Sequence, residues 1–179
     1  MIIKKFFKHL HLVNKHRFLV FKLCIKAGIP FRGLVHDLSK YSPSEFIESV
    51  RYYDGNISPI KVCKKTNGYS KAWLHHKGRN KHHFEYWYDF NAPEKAPIIP
   101  YKYTVEMICD TIAASIAYNK NNWSPKINIE YFEKRKDLEY INPKIQSILR
   151  EVYKQIDEKG INKTIKKKKL QKIYYKHIK

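Results

Sequence analysis

An all-α fold is what this chain predicts, on three observations. Apolar residues recur at three- and four-residue steps over long stretches, helix-start and helix-stop residues punctuate those stretches, and no segment alternates apolar and polar residues as a strand does. At 179 residues the chain can bury one core without staples. The expected architecture is a compact single-domain bundle of about six helices over residues 1–158, with a lysine-rich tail over residues 159–179.

The first helix is expected over residues 2–26, where His9, Leu12, His16, Leu19 and Leu23 share a face, so His16 points where the apolar side chains point. Ala27-Gly28-Ile29-Pro30 ends it, because glycine favours a left-handed stop and proline cannot continue. A short segment, 31–38, then carries His36-Asp37. Ser42-Pro43-Ser44-Glu45 starts the next helix: serine caps, proline suits the first helical position, and glutamate three residues on closes a capping box. That helix stops after Tyr53, at Asp54-Gly55-Asn56. Residues 56–69, with Pro59 and Asn67-Gly68, read as a loop.

Ser70 is placed to cap a third helix carrying Trp73, His75, His76, His82, His83 and Trp87, with Gly78 its weak point. A proline-rich connector from Asn91 to Pro100 leads to a helix with two stripes. Val105, Ile108, Ile112 and Ile116 form one, and Tyr103, Met107, Asp110, Ala114 and Ala117 form its neighbour. The small alanines let Asp110 approach another helix closely. Residues 119–128 read as polar loop and Ile129–Tyr140 as a helix. Asn142-Pro143 starts the last one, with Ile145, Ile148, Leu149, Val152 and Ile156 inside and Gly160 after it. The tail is expected to be helical only when bound to something.

Composition narrows the class. Cys24, Cys63 and Cys109 are odd in number and form no CxxC pair, which argues against a disulfide framework and a thiolate zinc site and favours a reducing, cytoplasmic setting. The start Met1-Ile2-Ile3-Lys4-Lys5-Phe6-Phe7 imitates a signal peptide, but Lys8, His9, His11, Lys15 and Arg17 interrupt its apolar run. No membrane is therefore expected among the partners. The formal charge of +20 favours polyanions. Residues 159–179 hold nine lysines and no acid, so weak polyanion binding through the tail is an expectation, while the larger part of the excess is spread over the remaining chain. A Lys-, Ile-, Asn- and Tyr-rich composition is also what an AT-rich genome produces without any such partner.

The chemistry-bearing residues stand out against this background. His36-Asp37 closes a short apolar run, where a core has no use for a buried charge unless a cation holds it. His16 upstream, the pairs His75-His76 and His82-His83, and Asp110 in an apolar helix supply partners. Imidazole and carboxylate without thiolate suit iron, manganese, zinc, nickel or cobalt, as one divalent ion or two. On one continuous helix His76, Asn80, His83 and Trp87 share a face, which selects His76 and His83 as inward. His9 reads as a core histidine, and His11 and His177 as surface. A purely structural account makes His36 and Asp37 helix caps and pairs Asp110 with a lysine, but Asp110 between Cys109 and Thr111 on an alanine-rich stripe fits that poorly.

The ordered set His16, His36-Asp37 and Asp110 resembles the HD-domain superfamily of metal-dependent phosphohydrolases, all-helical proteins whose signature is a histidine, a His-Asp doublet and a distant aspartate. Leu34-Val35-His36-Asp37-Leu38-Ser39-Lys40 is similar to the superfamily's doublet with a lysine three residues on, carrying serine where many members have glycine. Through Trp73-Leu74-His75-His76, Asn80-Lys81-His82-His83 and Tyr86-Trp87, residues 9–118 also resemble an uncharacterised HD-like family of bacterial and phage proteins.

The resemblance implies an HD-like fold and a hydrolase of a phosphorylated small molecule, such as a nucleotide. His16, His36, Asp37 and Asp110 would hold a first ion, Asp37 would act in catalysis, and Lys40 would neutralise charge on the phosphate. His76 and His83 would hold a second ion or the phosphate itself, although their seven-residue separation is closer than in the dinuclear branch. Two further readings are carried: a di-iron oxygenase on the same scaffold, and a basic nucleic-acid-binding protein without catalysis, resting on the charge and on Lys166-Lys167-Lys168-Lys169.

Overall fold

A computed structural model of the chain describes residues 2–179, and among these the regular structure is all helical, with ten α-helices and no strand. Helix α1 (Ile2–Ala27) buries His9, Val13, His16, Val20, Leu23, Cys24 and Ala27. Its inward face is therefore turned slightly from the expected one, leaving Leu12 and Leu19 at its edge. The helix ends at Gly28, whose φ of +79° and whose missing Cβ, which would lie 2.6 Å from the Lys167 side chain, both require glycine. Helix α2 (Pro30–Val35) lies on α1 through Gly33: a Cβ there would stand 2.6 Å from Cys24 Cβ and 3.0 Å from the Phe21 backbone.

Helix α3 (Pro43–Arg51) begins with proline at its first turn as expected, but the Ser42 hydroxyl meets Ser44 and makes no cap. Glu45 is turned inward instead. Helix α4 (Pro59–Asn67) occupies the expected loop. Pro59 and Gly68 are its two ends, so the residues that read as loop punctuation are a helix start and a left-handed stop. Helix α5 (Lys71–Arg79) is capped by Ser70, which accepts from Trp73 N at 3.0 Å. It stops at Asn80, whose side chain donates to the His76 carbonyl at 2.8 Å, and the chain turns away rather than continuing to Trp87.

Helix α6 (Tyr101–Asn119) is the central element, buried on almost every side and packed most extensively against α1. Helix α7 (Lys126–Glu133) starts inside the expected polar loop and ends well short of Tyr140, with Arg135 folded back on Asp137 in two bonds of 2.8 Å. Helix α8 (Pro143–Lys159) is capped by Asn142 and buries Ile145, Ile148, Leu149, Val152, Tyr153 and Ile156.

The tail corrects the expectation of an element that orders only on binding. It forms α9 (Ile161–Thr164) and α10 (Lys167–Ile178), with Ile165, Leu170, Ile173 and Tyr174 buried, and Tyr174 Oη donates to Ile99 O at 2.8 Å. An apolar stripe at three- and four-residue steps lies under the lysines, and the charge concealed it. Ten helices rather than about six follow from this and from the short elements α2, α4 and α9. Among the described residues no helix is long and apolar enough to cross a membrane.

Candidate metal centre

Four segments converge beside α6. On a continuous helix His36 and Asp37 would diverge, but α2 ends at Val35 and Asp37 takes a left-handed backbone, φ 53° and ψ 27°. Both side chains thereby reach one centre, with His36 Nε2 3.4 Å from Asp37 Oδ2. Helix α1 delivers His16, whose Nε2 is 3.0 Å from Asp110 Oδ1 on α6 and 3.4 Å from His36 Nε2. His16, His36, Asp37 and Asp110 thus offer ligand atoms that all lie within 4.8 Å of one another.

The other Asp37 oxygen faces a second group. Asp37 Oδ1 is 3.3 Å from both His76 Nε2 and His82 Nε2, and His83 completes a set within the same 4.8 Å limit. His76 comes from the last turn of α5, whereas His82 and His83 follow the end of that helix. The helical spacing that selects His83 over His82 does not apply beyond Arg79, and the structure brings both rings to the group. His82 is the more deeply buried of the two. Lys40, on the 3₁₀ turn Leu38–Tyr41, sets its Nζ 2.8 Å from Asp37 Oδ2.

Two buried glutamates orient these rings, and neither was singled out as a site residue in the sequence. Glu106 on α6 is bonded to His36 Nδ1 at 3.0 Å and accepts from Arg32 Nε at 2.8 Å, while His82 Nδ1 stands 3.3 Å from it without the alignment of a hydrogen bond. Glu45 meets His76 Nδ1 at 2.8 Å and His75 Nδ1 at 2.6 Å. With Nδ1 turned to a carboxylate, the Nε2 atoms of His36, His76 and His82 are left facing Asp37, the outer-shell arrangement that fixes the tautomer of a metal-binding imidazole. A signal for Glu106 existed: it stands one helical turn before Asp110 in an apolar helix. The partnership of Glu45 with two histidines some thirty residues away had none.

The electrostatics are those of a tightly held charge cluster. Burial alone would push the Asp37 carboxyl up, but the positive charge of His36, Lys40 and His76 holds it well below the usual range. Asp110 is likewise depressed against its burial, through His16 and His36. Burial lowers His36, yet Asp37, Asp110 and Glu106 outweigh it and raise the imidazole well above its ordinary value. Burial, with the charges of His82 and His76, keeps His83 well below its own. Glu106, raised by burial, is brought down to about 2 by His36, His82 and Arg32.

Asp37 Oδ1, His76 Nε2, His82 Nε2 and His83 Nε2 are buried without a hydrogen-bond partner among the described residues. Each such group costs about 1–3 kcal/mol when left unmet. All four belong to one group of donors, and a cation would satisfy them together. The cluster opens on a cavity of about 630 Å³ lined by His16, Lys40, His76, His82, His83 and Asp110.

Comparison with curated proteins and with solved structures finds no match for this chain. Residues 5–155, which include every side chain of the cluster, match a family described as a family of unknown function (DUF5662), and the chain belongs to that family.

Proposed function

We propose that this protein is a metal-dependent hydrolase of phosphorylated small molecules, of the HD kind that its His16, His36-Asp37, Asp110 order resembles. The observation that carries the reading is Asp37, a buried carboxylate shared by two groups of four histidine and carboxylate donors. His16, His36, Asp37 and Asp110 would hold one divalent transition metal ion, and Asp37, His76, His82 and His83 a second. When bound, such ions supply the Lewis acidity that makes water nucleophilic near neutral pH and offset charge on a phosphate.

The chain's own residues do the rest. Lys40 lies beside Asp37 on the cavity wall, where a cation in a partly dry site attracts a phosphate oxygen more strongly than it would at the surface. Its ammonium is held charged: burial lowers its pKa, but Asp37 and Asp110 more than reverse this. His83, kept neutral by its surroundings, offers a lone pair rather than a proton. Glu106 and Glu45 hold the rings that carry the remaining donors. A fixed cation at the cavity favours an anionic substrate.

The test is elemental analysis of protein purified without added metal, followed by hydrolysis assays on phosphomonoesters and nucleotides with iron, manganese, cobalt, nickel and zinc. One or two ions per chain and hydrolysis reduced at least about a hundredfold in Asp37→Ala are expected. A metal-free protein that stays inactive with every ion overturns the proposal. Iron with oxygen consumption and no hydrolysis transfers the site to the oxygenase reading.

A further inference from the structure

Helix α1 has a second apolar face that the fold does not cover. Opposite its buried side, Ile3, Phe7, Phe18 and Ile25 follow at four-, eleven- and seven-residue steps and so share one stripe. Their exposures are 69%, 63%, 56% and 51%. The stripe extends along the helix for about 33 Å at the α-helical rise. It continues sideways onto α2 and the turn after it, where Phe31, Leu34 and Leu38 are also more than half exposed. That extension is fixed in place by Gly33 against Cys24 and by Arg17, which donates to the Leu34 and His36 carbonyls at 2.9 and 2.8 Å. Of the twenty exposed large apolar side chains among the described residues, seven lie on this face, enough to form a contiguous patch and not isolated surface residues.

Charge identifies what would cover it. Lys4, Lys8, Lys15, Lys22 and Lys26 run beside the stripe on α1, all exposed, and no acidic residue precedes Asp37. A second copy on this face would bring two lysine rows together. Nucleic acid would satisfy the lysines and leave isoleucine, leucine and phenylalanine in contact with phosphate and water. A bilayer surface offers anionic groups and hydrocarbon side by side and so meets both rows, as in helices that lie in the interface with an apolar side sunk among acyl chains and lysines at the headgroups.

We propose that the α1–α2 face docks this protein on anionic lipid bilayers. This departs from the expectation of no membrane partner, which rested on the interrupted apolar run, because lying on a bilayer needs an apolar face and not a spanning segment. Of the metal-centre residues only His16 lies on α1, on its opposite, buried side, whereas His36, Asp37 and Lys40 border Leu34 and Leu38, so the variants that test docking are confined to the exposed side of α1.

The test is co-sedimentation of the full chain with vesicles of phosphatidylcholine alone and of phosphatidylcholine mixed with phosphatidylglycerol. Binding to the mixed vesicles only is expected, weakened by salt. It should fall about tenfold or more in Phe18→Asp with Ile25→Asp and in Lys15→Glu with Lys22→Glu, at unchanged melting temperature and metal content. A variant that melts early is replaced by Phe7→Asp, read the same way. The proposal fails if neither vesicle binds. It fails if the lysine variants lose binding while the apolar variants keep it, which leaves an electrostatic polyanion surface. It also fails if the wild-type chain is a dimer that Phe18→Asp makes monomeric, because a second copy then covers the face.

Discussion

His36 and Asp37 are adjacent, and on an unbroken helix adjacent side chains point about 100° apart. The left-handed backbone of Asp37 removes that divergence, and aspartate is among the few residues that accept this conformation readily. Glu106 then becomes the residue whose role is easiest to test, because it touches two imidazoles without being exposed to the cavity centre. Glu106→Gln keeps its shape and removes the charge that fixes His36 and His82, so metal affinity measured against a competing chelator should drop about 10–100-fold with the circular dichroism unchanged. Unaltered affinity would make Glu106 only the ion-pair partner of Arg32. Metal removal has a stability readout as well. Protein loaded at a hundred times the dissociation constant should gain about 2.7 kcal/mol over the chelated form, seen as a higher melting temperature that returns on adding the ion back.

At the scale of elements, the placement of the doublet depends on α2 sitting close to α1. Gly33→Val would force a side chain into the space of Cys24 and the α1 backbone, so a loss of about 1–3 kcal/mol in stability is expected in denaturant titration. Metal affinity should weaken in the same variant, since α2 leads directly into His36. Helix α10 is tied to α8 by Glu151, which accepts from Lys176 Nζ at 2.8 Å and from His177 Nε2 at 2.7 Å. Burial raises this carboxyl, and Lys176 and His177 more than offset it, so its folded pKa lies below the unfolded value. A depressed carboxylate stabilises the fold above its unfolded pKa and loses that contribution as pH falls through the folded one. Acid titration should therefore show a small loss below the ordinary glutamate range, under about 1 kcal/mol for so exposed a pair, and Glu151→Gln should abolish it.

For the molecule as a whole, the C-terminal lysines and the apolar residues beneath them act in opposite senses. Ile165, Leu170, Ile173 and Tyr174 belong to the same core as α6 and α8, so Ile173→Ala should cost about 2–5 kcal/mol in thermal or denaturant melts. Removing residues 161–179 would expose α8 and lower solubility, which makes truncation a poor probe of polyanion binding. Exchanging the exposed Lys166 and Lys168 for glutamate leaves the core intact and tests the charge alone.

Much of the fold is legible in the sequence alone. The helical class, the capping roles of Ser70 and Asn142, the stop at Gly28 and the inward face of His16 follow from local rules: a cap needs one side-chain oxygen near one backbone amide, and a helix face repeats every three or four residues. The elements that depart from expectation share a cause. Pro59, Asn67 and Gly68 punctuate helices and loops alike, and the lysines of α10 outnumber the apolar residues it buries. The choice between His82 and His83 depended on where α5 ends, a boundary set by Asn80 turning back on His76.

The sequence by itself determined the chemical inventory, an ordered set of histidines and aspartates on helical segments, because residue type and short-range periodicity are properties of the chain. Tertiary structure alone decided that Asp37 is shared between two donor groups and that Glu106 and Glu45 aim their rings. It also decided that one face of α1 is core while the other lies open. Those relations join residues as far apart in the chain as His16 and Asp110, and only packing, which has no local signature, brings them within reach of one another.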